Sequence, residues 1–345
     1  MTRLDRLRAS LDRRLLVTNL INIRYLTGFV SSNAGLLVDR EGPATLYTDF
    51  RYIEAAEAVP GVEAVLASRA LMVDLAKRLK GSLAFEADIL PYSQAEALGS
   101  GGLTLVPVTG MVEALRSIKD EEEIGLIRRA ALAADRAFEA LTAETWVGRS
   151  ERELAWRLRQ LLHAHGVDHL SFDTAIASGP NGSKPHAEPG DDLIEPRTLV
   201  TADWGARLDG YCSDCTRTLE TGQVPKQLRK IYDVCLEAQL KAVDEIQPGM
   251  SGVEADRIAR AVIEKAGYGQ NFGHGLGHGV GMFVHEAPRL STESTDTLAP
   301  GQVITIEPGI YLPGIGGVRI EDLAVVRDDG VETLTSFPKE LVAVA

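Results

Sequence analysis

In the N-terminal third of the chain, short apolar runs alternate with polar breaks: INIRYLTGF, AGLLVD, ATLYTDFRYIEAAEA, then SLAFEADIL. That rhythm predicts a small α/β unit. After the glycine cluster at 99–102, LTLVPV reads as a strand, and near Ser117 the pattern switches to long amphipathic helices. Three helix starts carry a capping box, in which a cap side chain and a Glu three residues on satisfy orphan backbone donors: Asp120 with Glu123, Ser150 with Glu153, Ser251 with Glu254. They predict helices over residues 120–144, 150–165 and 252–266. A fourth, PKQLRKIYDVCLEAQLKAVDEIQ, begins with Pro225 in its first turn and stops at Pro248-Gly249. RTLVTADWGAR, GYCSDCTRTL, GQVITIEPGIYL and GVRIEDLAVV read as strands. The expected organisation is two domains, residues 1–117 and residues 118–345.

One segment breaks the pattern. FGHGLGHGVGMFVHE, residues 272–286, mixes three histidines with five glycines. His274 and His278 have the spacing of a helical metal site, but glycine costs up to about 1 kcal/mol in a helix interior, and the glycines recur at every odd position from 273 to 281. A period of two predicts an extended strand with His274, Leu276, His278, Val280 and Met282 on one face. The bare face would admit another backbone; the other would aim two imidazoles into one cavity. A glycine-rich loop with solvated histidines is the plainer alternative.

Composition narrows the function. With 36 basic against 49 acidic residues among 345, the net charge of -13 repels phosphate backbones, so no nucleic acid partner is expected. No apolar run suggests a signal peptide or a membrane helix, which makes the cytoplasm the expected compartment. Cys212, Cys215 and Cys235 cannot all pair, in keeping with reduced thiols.

The carboxylates need a reason. Asp203 and Asp214 flank Asp209-Gly210, a strong two-residue hairpin signal that puts both on one face of neighbouring strands, nearly opposite each other. Glu307 in VITIEPGIY and Glu321 in VRIEDLAVV each sit in a run so apolar that both strand faces should be buried. Unpaired, each acid would cost several kcal/mol. Arg217 and Arg319 could neutralise part of this charge in a metal-free, salt-bridged core. Two divalent cations would balance all four, with a neutral His278 completing the set; a mostly oxygen shell suits Mn²⁺ or Co²⁺ at least as well as Zn²⁺. Such a pair polarises carbonyls and activates water, which implies hydrolysis.

The order Asp-x10-Asp, HGLGHGVGMFVHE, IEPGIY, RIED resembles the pita-bread metallopeptidases, and within them the prolidase and aminopeptidase P branch. NIRYLTGF and TDFRYIEAA extend the likeness to the creatinase-type N-terminal domain, which methionine aminopeptidases lack; creatinases share both domains but not the full metal set. The resemblance implies a creatinase-type N-terminal α/β domain followed by a pita-bread α+β catalytic domain, an antiparallel sheet backed by helices. It implies that Asp203, Asp214, His278, Glu307 and Glu321 hold two metals, that Asp214 and Glu321 bridge them, and that Glu307 accepts a proton. His186 in GSKPHAEP and His285 would serve the reaction in the cleft, with His274 and Tyr311 beside the substrate. Arg289 in HEAPRL, and Arg51 in TDFRY reaching from the partner of a homodimer, would recognise a carboxylate. The expected activity is cleavage before proline, in Xaa-Pro dipeptides or, as an aminopeptidase, in longer peptides. A non-catalytic peptide-binding module is the reading from another class.

Other signals carry less. The CxxC of Cys212 and Cys215 surrounds a proposed ligand in a strand, whereas reactive pairs sit at helix N-termini. His163 and His165 close a helix and face its negative end. GPNGSK lacks a phosphate loop's ending, and no G-x-S-x-G is present.

Overall fold

A computed structural model describes residues 1–345 and divides into two compact units, Met1–Arg116 and Ser117–Ala345. The first is built on six strands: β1 (Leu15–Val17), β2 (Ala34–Val38), β3 (Ala44–Thr48), β4 (Val62–Leu66), β5 (Ser82–Glu86) and β6 (Thr104–Val108). Their order is β4-β3-β2-β1-β5-β6. The mixed sheet follows from its connections, because the β1–β2 and β2–β3 pairs are antiparallel while β3–β4, β1–β5 and β5–β6 are parallel. Helices α1 (Arg3–Ser10), α2 (Leu20–Thr27), α3 (Ile53–Glu57), α4 (Leu71–Arg78), α5 (Tyr92–Gly99) and α6 (Met111–Ser117) complete the chain to this point. INIRYL, apolar enough for a strand, lies in α2, whose N-cap Asn19 accepts from Ile21 N and whose end is set by Gly28 at φ 76°.

The second unit opens with α7 (Glu121–Thr142) and α8 (Glu151–Ala164), each starting at the expected capping box. Two further helices, α9 (Lys226–Glu245) and α10 (Gly252–Lys265), match the remaining pattern, except that Pro225 is the N-cap of α9 rather than a first-turn residue. Strands β7 (His169–Leu170), β8 (Ala175–Ser178), β9 (Leu199–Trp204), β10 (Ala206–Leu208), β11 (Tyr211–Cys212) and β12 (Cys215–Glu220) precede α9. Strands β13 (Gly277–Gly279), β14 (Glu286–Leu290), β15 (Val303–Ile306), β16 (Gly309–Leu312), β17 (Gly316–Arg319), β18 (Asp322–Arg327) and β19 (Gly330–Thr333) follow α10. They form antiparallel sheets ordered β11-β10-β7, β12-β9-β8, β14-β13-β15-β18-β19 and β16-β17.

Helices cover these sheets with apolar faces. Ile231, Cys235 and Ala238 of α9 and Ala255, Ala259 and Ile263 of α10 share a buried cluster with Ile304, Val318 and Ala324. Phe138 of α7 stacks on Trp204 of β9 at 3.7 Å between ring centroids, beside Leu154 and Leu158 of α8. Both clusters lie behind strands whose other side carries acids, so the helices fix those strands rigidly.

Two expectations change here. The strand predicted across the glycine-histidine segment is only Gly277–Gly279, with a register shift between His278 and Gly279. The glycines do admit close backbones, but on two sides: a Cβ on Gly277 would meet Thr305 O at 2.1 Å, and one on Gly279 would meet Ala287 O at 2.1 Å. Glu307 and Glu321 stand at strand breaks rather than within strands. Glu307 lies between β15 and β16, where Pro308 has no N–H for a ladder, and Glu321 lies between β17 and β18, its N–H donating across to Thr216 O.

Candidate metal centre

The Asp209-Gly210 turn places the first two acids. Both residues have positive φ, 52° and 90°, as the favoured tight hairpin requires, and Leu208 pairs with Tyr211 across it. The same register runs on to Thr216 opposite Asp203, so Asp214, two residues before Thr216, lies diagonally across from Asp203 on one face. Glu321 enters from its strand break. Carboxylate oxygens of Asp203, Asp214 and Glu321 all lie within 4.8 Å of one another. His278 completes the group, with Nε2 3.4 Å from Glu307 Oε1 and 3.7 Å from Asp214 Oδ2.

Two threonines that sequence reasoning passed over aim these acids. Thr216 Oγ1 donates to Glu321 Oε2 at 2.6 Å, and Thr305 Oγ1 donates to Glu307 Oε1 at 2.9 Å while accepting from His278 N at 3.0 Å. Each lies two positions from an acid, Asp214 or Glu307, hence on the same strand face; that spacing was the available signal.

Only one of the two arginines weighed against the acids reaches them. Arg319 donates to Asp203 Oδ2 at 2.6 Å, to the Tyr311 hydroxyl at 3.0 Å and to Pro185 O at 3.1 Å. Arg217 turns to the opposite face, pairing with buried Asp322 at 2.8 Å and donating to the carbonyls of Thr216, Glu321 and Phe337. Its odd offset from Asp214 could have predicted this.

The electrostatics follow from burial and crowding. Burial, then neighbouring Glu321, Asp203 and Glu307, pushes Asp214 well above the usual carboxylate range. Burial, then Glu307 and Asp203, does the same to Glu321, and burial raises Glu307. Burial also lowers His274, His278 and His285 below the ordinary imidazole value, favouring neutral rings. One Asp203 oxygen, Oδ1, is buried without any hydrogen-bond partner. Orphaned oxygen, crowded acids and a neutral imidazole form a donor set that suits hard divalent cations.

Of the remaining candidates, His274 and His285 stand nearest this group. His274 Nε2 lies 3.0 Å from the Tyr311 hydroxyl, and its Nδ1 is 2.8 Å from Gly275 O. The His285 ring stands 4.4 Å from that of His278, nearly perpendicular. His186 is exposed, following Pro185, whose carbonyl Arg319 grips. Exposed Arg289 bears on both His278 and His285 through its charge, while its N–H donates to Asp296. Arg51 belongs to the first unit, where both its Nε and Nη2 bind Asp49 at 2.8 Å. Ala175, Ala177, Thr201, Asp203, Tyr311 and Arg319 line a small cavity beside the acids. A larger surface groove of about 350 Å³, bordered by Arg159, His163, His169 and Arg207, contains none of these residues. The three cysteines are buried and form no disulfide. No helix is long and apolar enough to cross a membrane.

Residues 125–328 match the family described as Metallopeptidase family M24, and residues 3–118 match the Creatinase/Prolidase N-terminal domain. The chain is 39% identical to the Xaa-Pro dipeptidase of Pyrococcus horikoshii over 337 residues, 96% of this chain and 95% of the relative. Among solved structures, the Xaa-Pro dipeptidase from Bacillus anthracis superposes with a TM-score of 0.96 at 40% identity, covering 99% of each chain. The X-Pro aminopeptidase from Thermotoga maritima superposes with a TM-score of 0.88 at 32% identity, covering 96% of this chain and 97% of that one.

Proposed function

The chain belongs to metallopeptidase family M24, with a creatinase/prolidase N-terminal domain ahead of a pita-bread catalytic domain, and from that premise we propose that it cleaves the peptide bond preceding proline, foremost in Xaa-Pro dipeptides. The observation that carries this reading is the cluster of Asp203, Asp214 and Glu321, which His278 links to Glu307, with Arg319 pairing Asp203. We assign residues 1–117 and 118–345 to the two domains, the cytoplasm as compartment and a homodimer as the working form.

Asp203, Asp214, His278, Glu307 and Glu321 would hold two divalent cations, Mn²⁺ before Co²⁺ or Zn²⁺; when bound, these supply Lewis-acid polarisation of the scissile carbonyl and a lowered water pKa. Glu307 is then the residue assigned as proton acceptor. Thr305 holds its Oε1 and fixes the direction of that transfer. His285, packed against His278 and favouring the neutral form, is assigned to the reacting carbonyl, with His186 as a second reacting histidine and His274 and Tyr311 beside the substrate. The bond before proline is a tertiary amide without an N–H, so a site acting through the carbonyl loses nothing by its absence. Arg289 is the clamp for the proline carboxylate of a dipeptide, assisted by Arg51 of a second copy.

The T. maritima likeness keeps an Xaa-Pro aminopeptidase as the second reading. Turnover of Ala-Pro against Ala-Pro-Ala separates the two: a dipeptidase cleaves the first faster, and rapid cleavage of the tripeptide alone selects the aminopeptidase. A metal-free, folded protein inactive on both even with added Mn²⁺ would instead be the peptide-binding module.

A further inference from the structure

Between buried Met282 and Val284, Phe283 stands 49% exposed. Exposure alone means little, since Phe50 and Tyr92 are more exposed still. Phe283 differs in how it is held and in what it touches. Its N–H donates to Glu286 Oε1 at 2.8 Å, and its carbonyl accepts from Gly281 N at 3.1 Å. The Gly281 carbonyl in turn accepts from Cys212 N at 2.8 Å. The other Glu286 oxygen lies 3.3 Å from the Nζ of Lys119, both side chains being buried. A Cβ on Gly281 would sit 2.6 Å from Glu286 Oε2, so this closure needs glycine. The turn is therefore tied down at several points, and it presents the phenyl ring outward in a fixed place.

That place is the rim of the metal centre. The Phe283 ring lies 6.5 Å from His285, near-perpendicular, and His285 lies 4.4 Å from His278. Three rings thus step from the buried acids out to solvent. A peptide with its reacting bond at the acids that extends past His285 meets the phenyl next. The geometry points to Phe283 as a specificity-determining residue: an apolar platform for the ring or side chain of the leaving residue, selecting apolar over charged groups. This rests on the peptidase reading above. A charged side chain placed there would lose water to a surface that returns no hydrogen bond.

Phe283→Ala and Phe283→Leu, compared with wild type on Ala-Pro, Ala-Leu and Ala-Gly, test it, with metal content checked by plasma emission. Phe283→Ala should raise KM about tenfold for Ala-Pro and Ala-Leu, with kcat held within roughly twofold and Ala-Gly unaffected. Phe283→Leu should recover most of the loss, and metal content should not change. Unchanged KM, or an equal rise for Ala-Gly, overturns the assignment, as does a shift in sedimentation with KM untouched, which would mark the ring as a contact between copies. A wild type that cleaves Ala-Leu but not Ala-Pro overturns the proline reading, and the Ala-Leu to Ala-Gly comparison still decides Phe283. A wild type inactive on all three overturns both.

Discussion

One oxygen of Asp203 takes a hydrogen bond from Arg319 at 2.6 Å, while its other oxygen, buried, has no donor. A single guanidinium beside three clustered acids, with Glu307 next to them across His278, leaves their charge largely unbalanced, and binding of divalent cations should stabilise the fold accordingly. At a free metal concentration about a hundredfold above Kd, linkage amounts to about 2.7 kcal/mol. Thermal unfolding after chelation and after adding Mn²⁺ checks this; identical midpoints would remove the metal centre.

The same crowding sets a pH dependence. Without metal, Asp214 and Glu321 are raised above their ordinary values of 3.8 and 4.5 by burial and by each other's neighbours. A carboxyl raised on folding holds more protons in the native state, so its contribution is full below the unfolded value and is lost as pH rises through the folded one. Chelated protein should fall further behind Mn²⁺-loaded protein as pH rises from roughly 5 to 8, because the metal favours the ionised forms. Urea midpoints of both forms measure the gap; a gap that narrows with rising pH contradicts the assignment.

Glu307→Gln keeps the shape of the side chain but removes the assigned proton acceptor and one anionic metal donor. Ala-Pro turnover should drop by about 10²–10⁴ in kcat with the circular dichroism spectrum unchanged. Near-normal turnover would transfer the role of base elsewhere.

Gly277→Ala would drive a methyl to within 2.1 Å of Thr305 O, a backbone atom with little freedom to retreat. Separating β13 from β15 should destabilise the protein by about 1–3 kcal/mol and pull His278 from Glu307, costing activity as well. Denaturant titration and Ala-Pro turnover report the two effects; wild-type values in both would mean the strands are looser than the structure shows.

Arg217→Met leaves buried Asp322 with Lys339 and Gln239 but without its guanidinium. Breaking such a pair costs about 3–5 kcal/mol. Urea unfolding would show it, and a loss well under 1 kcal/mol would mean that Lys339 alone satisfies the acid.

Local chemistry was legible where one backbone rule decided it. The turn at Asp209-Gly210 was readable because its left-handed backbone suits few other residues, and it fixed the register that sets Asp203 against Asp214. The helices over α7, α8 and α10 announced themselves by reciprocal caps. Strand parity could have told Arg217 from Arg319, and it could have found Thr216 and Thr305. The length of β13 was not legible, because the glycines answer to two neighbouring backbones whose positions are set far away in sequence.

The chain by itself determined its caps and tight turns, an excess of buried acid over base, and the two-residue spacing that sets Thr305 beside Glu307, since each depends on residues a few positions apart. The tertiary structure decided which acids meet, that Glu307 and Glu321 occupy strand breaks, that Arg319 faces the cluster while Arg217 serves Asp322, and that Phe283 is left at the rim. Asp203 and Glu321 are separated by more than a hundred positions, and no local periodicity carries across that interval. Only helices packed behind paired strands hold such distant side chains together against the repulsion of their charges.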